Sequence, residues 1–187
     1  MDFFNKDYEI PQISKYMKFE EGENIFRILG SFINETAVMG TVYWKTADKG
    51  RMPVRLKPNV AVPASELELN PKTGEIEIPK HFWAFPVYNY RSKSIQILEI
   101  TQKSIMNAIK SLAENKKWGN PNEYDLVIVK SVENGKTSYS TTPDPKEPLD
   151  KGVVQLYKDM FINLNALYSG EDPFAVSVNP DEIPDSI

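Results

Sequence analysis

Residues 82–91 and 95–100 read as two strong strands joined by a turn at Arg91, Ser92, Lys93 and Ser94. Side chains in a strand alternate between faces, and residues 81–91 hold five aromatics. Trp83, Phe85 and Val87 fall on one face, continuously apolar and suited to a core. Phe82, Tyr88 and Tyr90 fall on the other, beside Arg91 and Lys93. A second pair of strands, at 126–132 and 137–141, flanks Asn134 and Gly135. That dipeptide tolerates the positive φ values that a tight hairpin turn demands. Two further strands are expected at 25–29, stopping at Gly30, and at 37–46.

A helical period occurs only twice. Ile105, Ala108, Ile109, Leu112 and Ala113 carry it between the two hairpins, with Thr101 as the expected N-cap and Gly119 as the stop. Val153, Leu156, Tyr157, Met160, Phe161, Leu164 and Leu167 carry it again and predict one helix over 152–169. Residues 50–79 hold five prolines and a turn at 70–74, which predicts a long excursion with at most short edge strands. The order predicts a mainly β protein with two helices. A small closed barrel fits it, specifically the OB-fold, a five-stranded Greek-key barrel whose face and loops bind oligonucleotides. The divisions are an N-terminal arm at 1–18, the barrel at 19–151, the helix at 152–169 and a tail at 170–187.

Composition removes several classes of chemistry. The chain of 187 residues has no cysteine, so disulfides, thiol nucleophiles and cysteine-bound zinc are excluded. His81 is the single histidine, and no Gly-rich phosphate loop occurs. No cofactor is expected. No apolar run approaches the ~20 residues of a membrane helix, and residues 1–4 lack a signal-peptide pattern. The charge is uneven. Glu171, Asp172, Asp181, Glu182 and Asp185 make the tail wholly acidic, and taking those five charges from the net −4 leaves the rest at +1. Residues 43–57 concentrate Lys45, Lys49, Arg51, Arg55 and Lys57 against Asp48 alone.

Aromatics interleaved with cations therefore occur twice. In the strand at 37–46, alternation turns Val42 and Trp44 inward and Tyr43 and Lys45 outward. Tyr43, Tyr88 and Tyr90 are the candidate stacking residues, with Trp44, Phe82 and Trp83 as a second tier. Arg27, Lys45, Arg51, Arg55, Lys57, Arg91 and Lys93 are the candidate phosphate contacts. Arg27, flanked by Phe26 and Ile28, needs either a polar groove or an internal acidic partner. The tyrosines could equally cover a barrel rim.

The residues Glu21 to Leu29, Tyr88 to Arg91 and Ile97 to Ile105 resemble bacteriophage single-stranded-DNA-binding proteins, as do Trp118 to Leu126 and Tyr139 to Pro148. The resemblance spans roughly residues 19–149. It implies an OB-fold that coats and protects single strands during phage replication, recombination and repair, in the cytoplasm of the infected bacterial host, without catalysis. It also implies an acidic tail, here Asp181, Glu182, Ile183 and Asp185, that recruits replication or recombination proteins. A zinc found in some relatives is not carried over, because its cysteines are missing. Nor is the Pro-Phe terminus of bacterial-type tails, since this chain ends at Ile187.

Two other functions fit the same residues: an OB-fold adaptor whose aromatic face binds protein, and a magnesium nuclease using Glu20, Glu21, Glu23 and Glu99. Self-association, through the arm or otherwise, is open. With three to five cations in the groove, single-strand affinity would fall with salt at a log–log slope of roughly −2 to −3.5.

Overall fold

The computed structural model describes residues 14–176. Eight strands form one mixed sheet in the order β1-β6-β5-β2-β7-β8, with β3 paired to β5 and β4 to β3. In chain order they are β1 (Tyr16–Met17), β2 (Gly22–Ile28), β3 (Val38–Ala47), β4 (Gly50–Leu56), β5 (Lys80–Asn89), β6 (Ser94–Ile100), β7 (Leu126–Glu133) and β8 (Lys136–Pro143). The helices are α1 (Lys103–Glu114), α2 (Lys151–Asp159) and α3 (Ala166–Ser169). The protein is mainly β, as its periodicity predicts. The sheet, however, is open: among the described residues β6 and β8 do not pair, so the expected five-stranded barrel is not closed.

β5 is the hub. Its first half pairs with β3 and its last residues with β2, while its other edge runs along β6. Asn24 pins the start of β2: its side-chain amide donates to the carbonyls of Glu20, Gly22 and Ile128 and accepts from the Glu20 N–H. The β7–β8 turn is the one expected, with Asn134 at φ 49 and Gly135 at φ 74.

Both faces of β5 are buried along its middle. Phe85 and Val87 join Phe26, Leu98, Leu126 and Ile128 in one core, closed by Ile105, Met106 and Ile109 of α1. Phe82 and Ala84 face a second core with Val38, Val42, Ile97, Leu164 and Leu167. The cover on that side is the C-terminal segment, where Tyr168 donates its hydroxyl to the Met39 carbonyl at 2.8 Å.

Three local expectations change. β4 is a full strand paired with β3 from Thr41↔Leu56 to Ala47↔Gly50. Pro53 is accommodated because β4 is an edge, where a missing N–H costs no ladder bond. A Cβ on Gly40 would sit 1.9 Å from the Leu56 carbonyl oxygen, so this close pairing needs glycine. α1 begins at Lys103 after Gln102 rather than on a Thr101 cap. The single helix at 152–169 is two, because Met160 turns extended (φ −89°, ψ 130°) and the Asn163 N–H bonds Pro173 instead of continuing the helix.

The predicted arm and tail also gain structure at their inner ends. The end of the arm adds β1, parallel to β6. The Lys15 ammonium holds Asp172 at 2.6 Å, and Phe174 packs on the second core. Residues 1–13 and 177–187, including Asp181, Glu182, Ile183 and Asp185, lie outside the described residues.

Candidate nucleic-acid interface

The candidate residues divide into two groups at opposite ends of β5, a strand of ten residues and so about 30 Å long. The β3–β4 hairpin brings Tyr43, Trp44, Lys45, Arg51, Arg55 and Lys57 to the Lys80 end. Arg27, Tyr88, Tyr90, Arg91 and Lys93 gather at the other.

At the hairpin Val42 is buried and Lys45 exposed, as expected, but Tyr43 and Trp44 exchange places. Tyr43 is buried and Trp44 is exposed. The cause is the proline-rich excursion, which folds back over β3: Glu66 accepts the Tyr43 hydroxyl at 2.6 Å and the Lys45 ammonium at 3.2 Å, and Glu68 accepts the Thr46 N–H. The bond to Glu66, helped by burial, pushes the Tyr43 phenol up to about 12. Tyr43 therefore offers no face to a base. Arg51 is held by Glu77, and Arg55 by Glu99 at 2.5 Å, with both guanidiniums largely covered. Lys57 has no acidic partner among the described residues and lies 5.8 Å from the Tyr168 ring centroid.

Around Tyr88 the arrangement is different. β2 and β5 place Arg27 opposite Tyr88 in the ladder. Arg27 is 2% exposed, which removes it as a groove cation. Its Nε donates to Asp125 Oδ1 at 2.5 Å, and Nη1 donates to the carbonyls of Asn122 and Glu147. The acidic partner that a buried arginine requires is thus an aspartate just before β7. Asp125 also accepts the Tyr90 hydroxyl at 3.0 Å. Burial and that bond push the Tyr90 phenol up to about 12, so it remains a donor near neutral pH.

Tyr88 and Tyr90 pack edge to face, with ring centroids 5.0 Å apart and planes at 84°. Tyr88 is half-buried and Tyr90 is 37% exposed. Arg91 donates to Glu20 and to the Glu23 carbonyl but keeps half of its side chain in solvent. Lys93, in the turn at φ 51, is exposed and has no acidic partner among the described residues. This is an aromatic pair with two accessible cations, on a sheet face whose neighbours Ile25, Val127 and Val129 are only half-buried.

The second tier divides as well. Phe82 is fully buried in the second core and cannot stack. Trp83 is half-buried and donates its indole N–H to His81 Nε2 at 3.1 Å. It borders a cavity of about 510 Å³ with Phe32, Met39, Phe85, Ile109 and Ala113. Phe32 meets Trp83 edge on at 5.6 Å, an aromatic contact that no strand period announced because Phe32 lies in a loop. Asp125 was also missed, since one acid before a strand carries no pattern. The acids of the nuclease reading do not converge: Glu20 pairs with Arg91 and Glu99 with Arg55. No group of three or more potential ligands occurs among the described residues. Nor is any helix among them long and apolar enough to cross a membrane.

In comparisons with known proteins, no family model, no curated protein and no solved structure matches the chain.

Proposed function

We propose that this chain binds single-stranded DNA without reading its sequence, through the sheet face of β2, β5 and β7. The observation that carries the reading is the Tyr88–Tyr90 pair beside Arg91 and Lys93. Aromatic rings next to backbone-tracking cations bind any base, because every base has a π-face. The strand order supports an OB-type barrel left partly open: β2 joins the β5–β6 hairpin to the β7–β8 hairpin, with α1 between them in sequence. Coating of strands during phage replication, recombination and repair in the host cytoplasm, and recruitment of partners by the acidic tail, complete the proposal and rest on the sequence resemblance.

The site differs from the charged groove that composition suggests. With Arg27 buried and Lys45, Arg51 and Arg55 engaged by glutamates, stacking provides most of the contact. Tyr88→Ala and Tyr90→Ala are each expected to weaken binding of a mixed-sequence oligonucleotide by about 1–3 kcal/mol. Tyr90→Phe keeps the ring, loses only the bond to Asp125 and should bind as the parent does. Fluorescence anisotropy on folded variants makes the comparison. Parental affinity in both alanine variants overturns this placement of the site.

A further inference from the structure

β8 ends the sheet on one side. Sheets usually guard such edges with charge, proline, bulges or brevity. The other free edges follow that rule: β1 is two residues long, and β4 carries Arg51, Pro53 and Arg55. β8 does not. It runs eight residues in unbroken register with β7, from Glu133↔Lys136 to Leu126↔Pro143, and residues 137–142 contain no charge and no proline.

The turn fixes which groups face outward. In a two-residue hairpin the flanking residues, here Glu133 and Lys136, form the first hydrogen-bonded pair. Alternation then turns the N–H and C=O of Thr137, Tyr139 and Thr141 away from β7. Among the described residues nothing outside the sheet bonds them. The Tyr139 ring packs inward on Phe19 and the core that α1 covers. The run Thr137, Ser138, Tyr139, Ser140, Thr141 also reads the same in both directions.

We propose that the β8 edge docks a second copy of this chain, antiparallel about Tyr139, to give a two-fold dimer with one continuous sheet. A two-fold contact needs a surface that complements itself, and an uncharged palindromic strand is such a surface. Tyr139 faces the partner's Tyr139, Ser138 the partner's Ser140 and Thr137 the partner's Thr141. Each outward-facing residue both donates and accepts. Lys136 falls opposite the partner's Thr142, so no like charges meet. The pairing is independent of the nucleic-acid reading, though it extends the Tyr88 face across both copies.

Sedimentation equilibrium of the full chain without DNA tests it. The parent should show a concentration-dependent monomer–dimer equilibrium. Ser138→Lys together with Ser140→Lys opposes lysines in two cross-strand pairs and should raise the dimer dissociation constant roughly thirtyfold. Ser138→Glu with Ser140→Glu should do the same, and an equimolar mixture of the two variants should dimerise again. Both sites are exposed, so the fold is retained. Thr141→Pro removes one outward N–H without touching the β7 ladder and should also give monomers. A parent that stays monomeric at every concentration overturns the proposal, as does dimerisation unaffected by the lysine pair or a mixture that stays monomeric.

Discussion

Arg27→Ala is expected to lower folding stability by about 3 kcal/mol, measured by urea unfolding. The arginine is almost wholly buried, and three groups depend on it: the Asp125 carboxylate and the carbonyls of Asn122 and Glu147. Removing it strands a carboxylate that retains only the Tyr90 hydroxyl. Asp125 is 21% exposed, so water recovers part of its solvation and the loss lies at the lower end for a broken buried pair. A groove arginine would behave in the opposite way, leaving stability unchanged and weakening DNA binding. Unaltered unfolding of Arg27→Ala would contradict the structural role.

Phe82→Ala should cost about 3–5 kcal/mol. The ring has no exposed surface and lies between β3 and the C-terminal segment, packed against Tyr168 at a centroid distance of 6.4 Å. Its removal leaves a cavity that the strands on either side cannot close. Trp44→Ala is the matched comparison: a larger aromatic, 41% exposed, whose loss should change stability by no more than about 0.5 kcal/mol. Equal effects from the two variants would mean that the second core does not hold the sheet together.

The two hairpins were legible because their signals are local. Alternation from Phe82 to Val87 assigns side chains to faces, and Asn134 with Gly135 fixes a turn, whatever the rest of the chain does. Alternation cannot say which face stays uncovered. Phe82 shares a parity with Tyr88, yet the segment ending at Phe174 covers one end of that face and not the other. Tyr43 and Trp44 exchanged roles for a related reason: Glu66 and Glu68 reach over β3 from an excursion that prolines had marked as irregular.

Charge was the least legible property. The sequence displays Arg51 and Arg55 as neighbours in a basic cluster. Their partners lie far along the chain: Glu99 meets Arg55 through the β3–β4–β5–β6 pairing, and Glu77 meets Arg51 because the excursion folds back over β3. Of the expected groove of three to five cations, Lys45, Arg51 and Arg55 are therefore held in ion pairs. Arg91 and Lys93 are left beside the tyrosines.

That correction makes the decisive measurement quantitative. Equilibrium binding of the parent protein to a single-stranded oligonucleotide and to its duplex, titrated with salt, tests whether this sheet face takes up single strands by stacking. One or two neutralised phosphates at about −0.7 each predict a log–log slope of roughly −0.7 to −1.4, with the single strand bound more tightly than the duplex. Preference for the duplex, or no binding of single strands at low salt, would contradict the account.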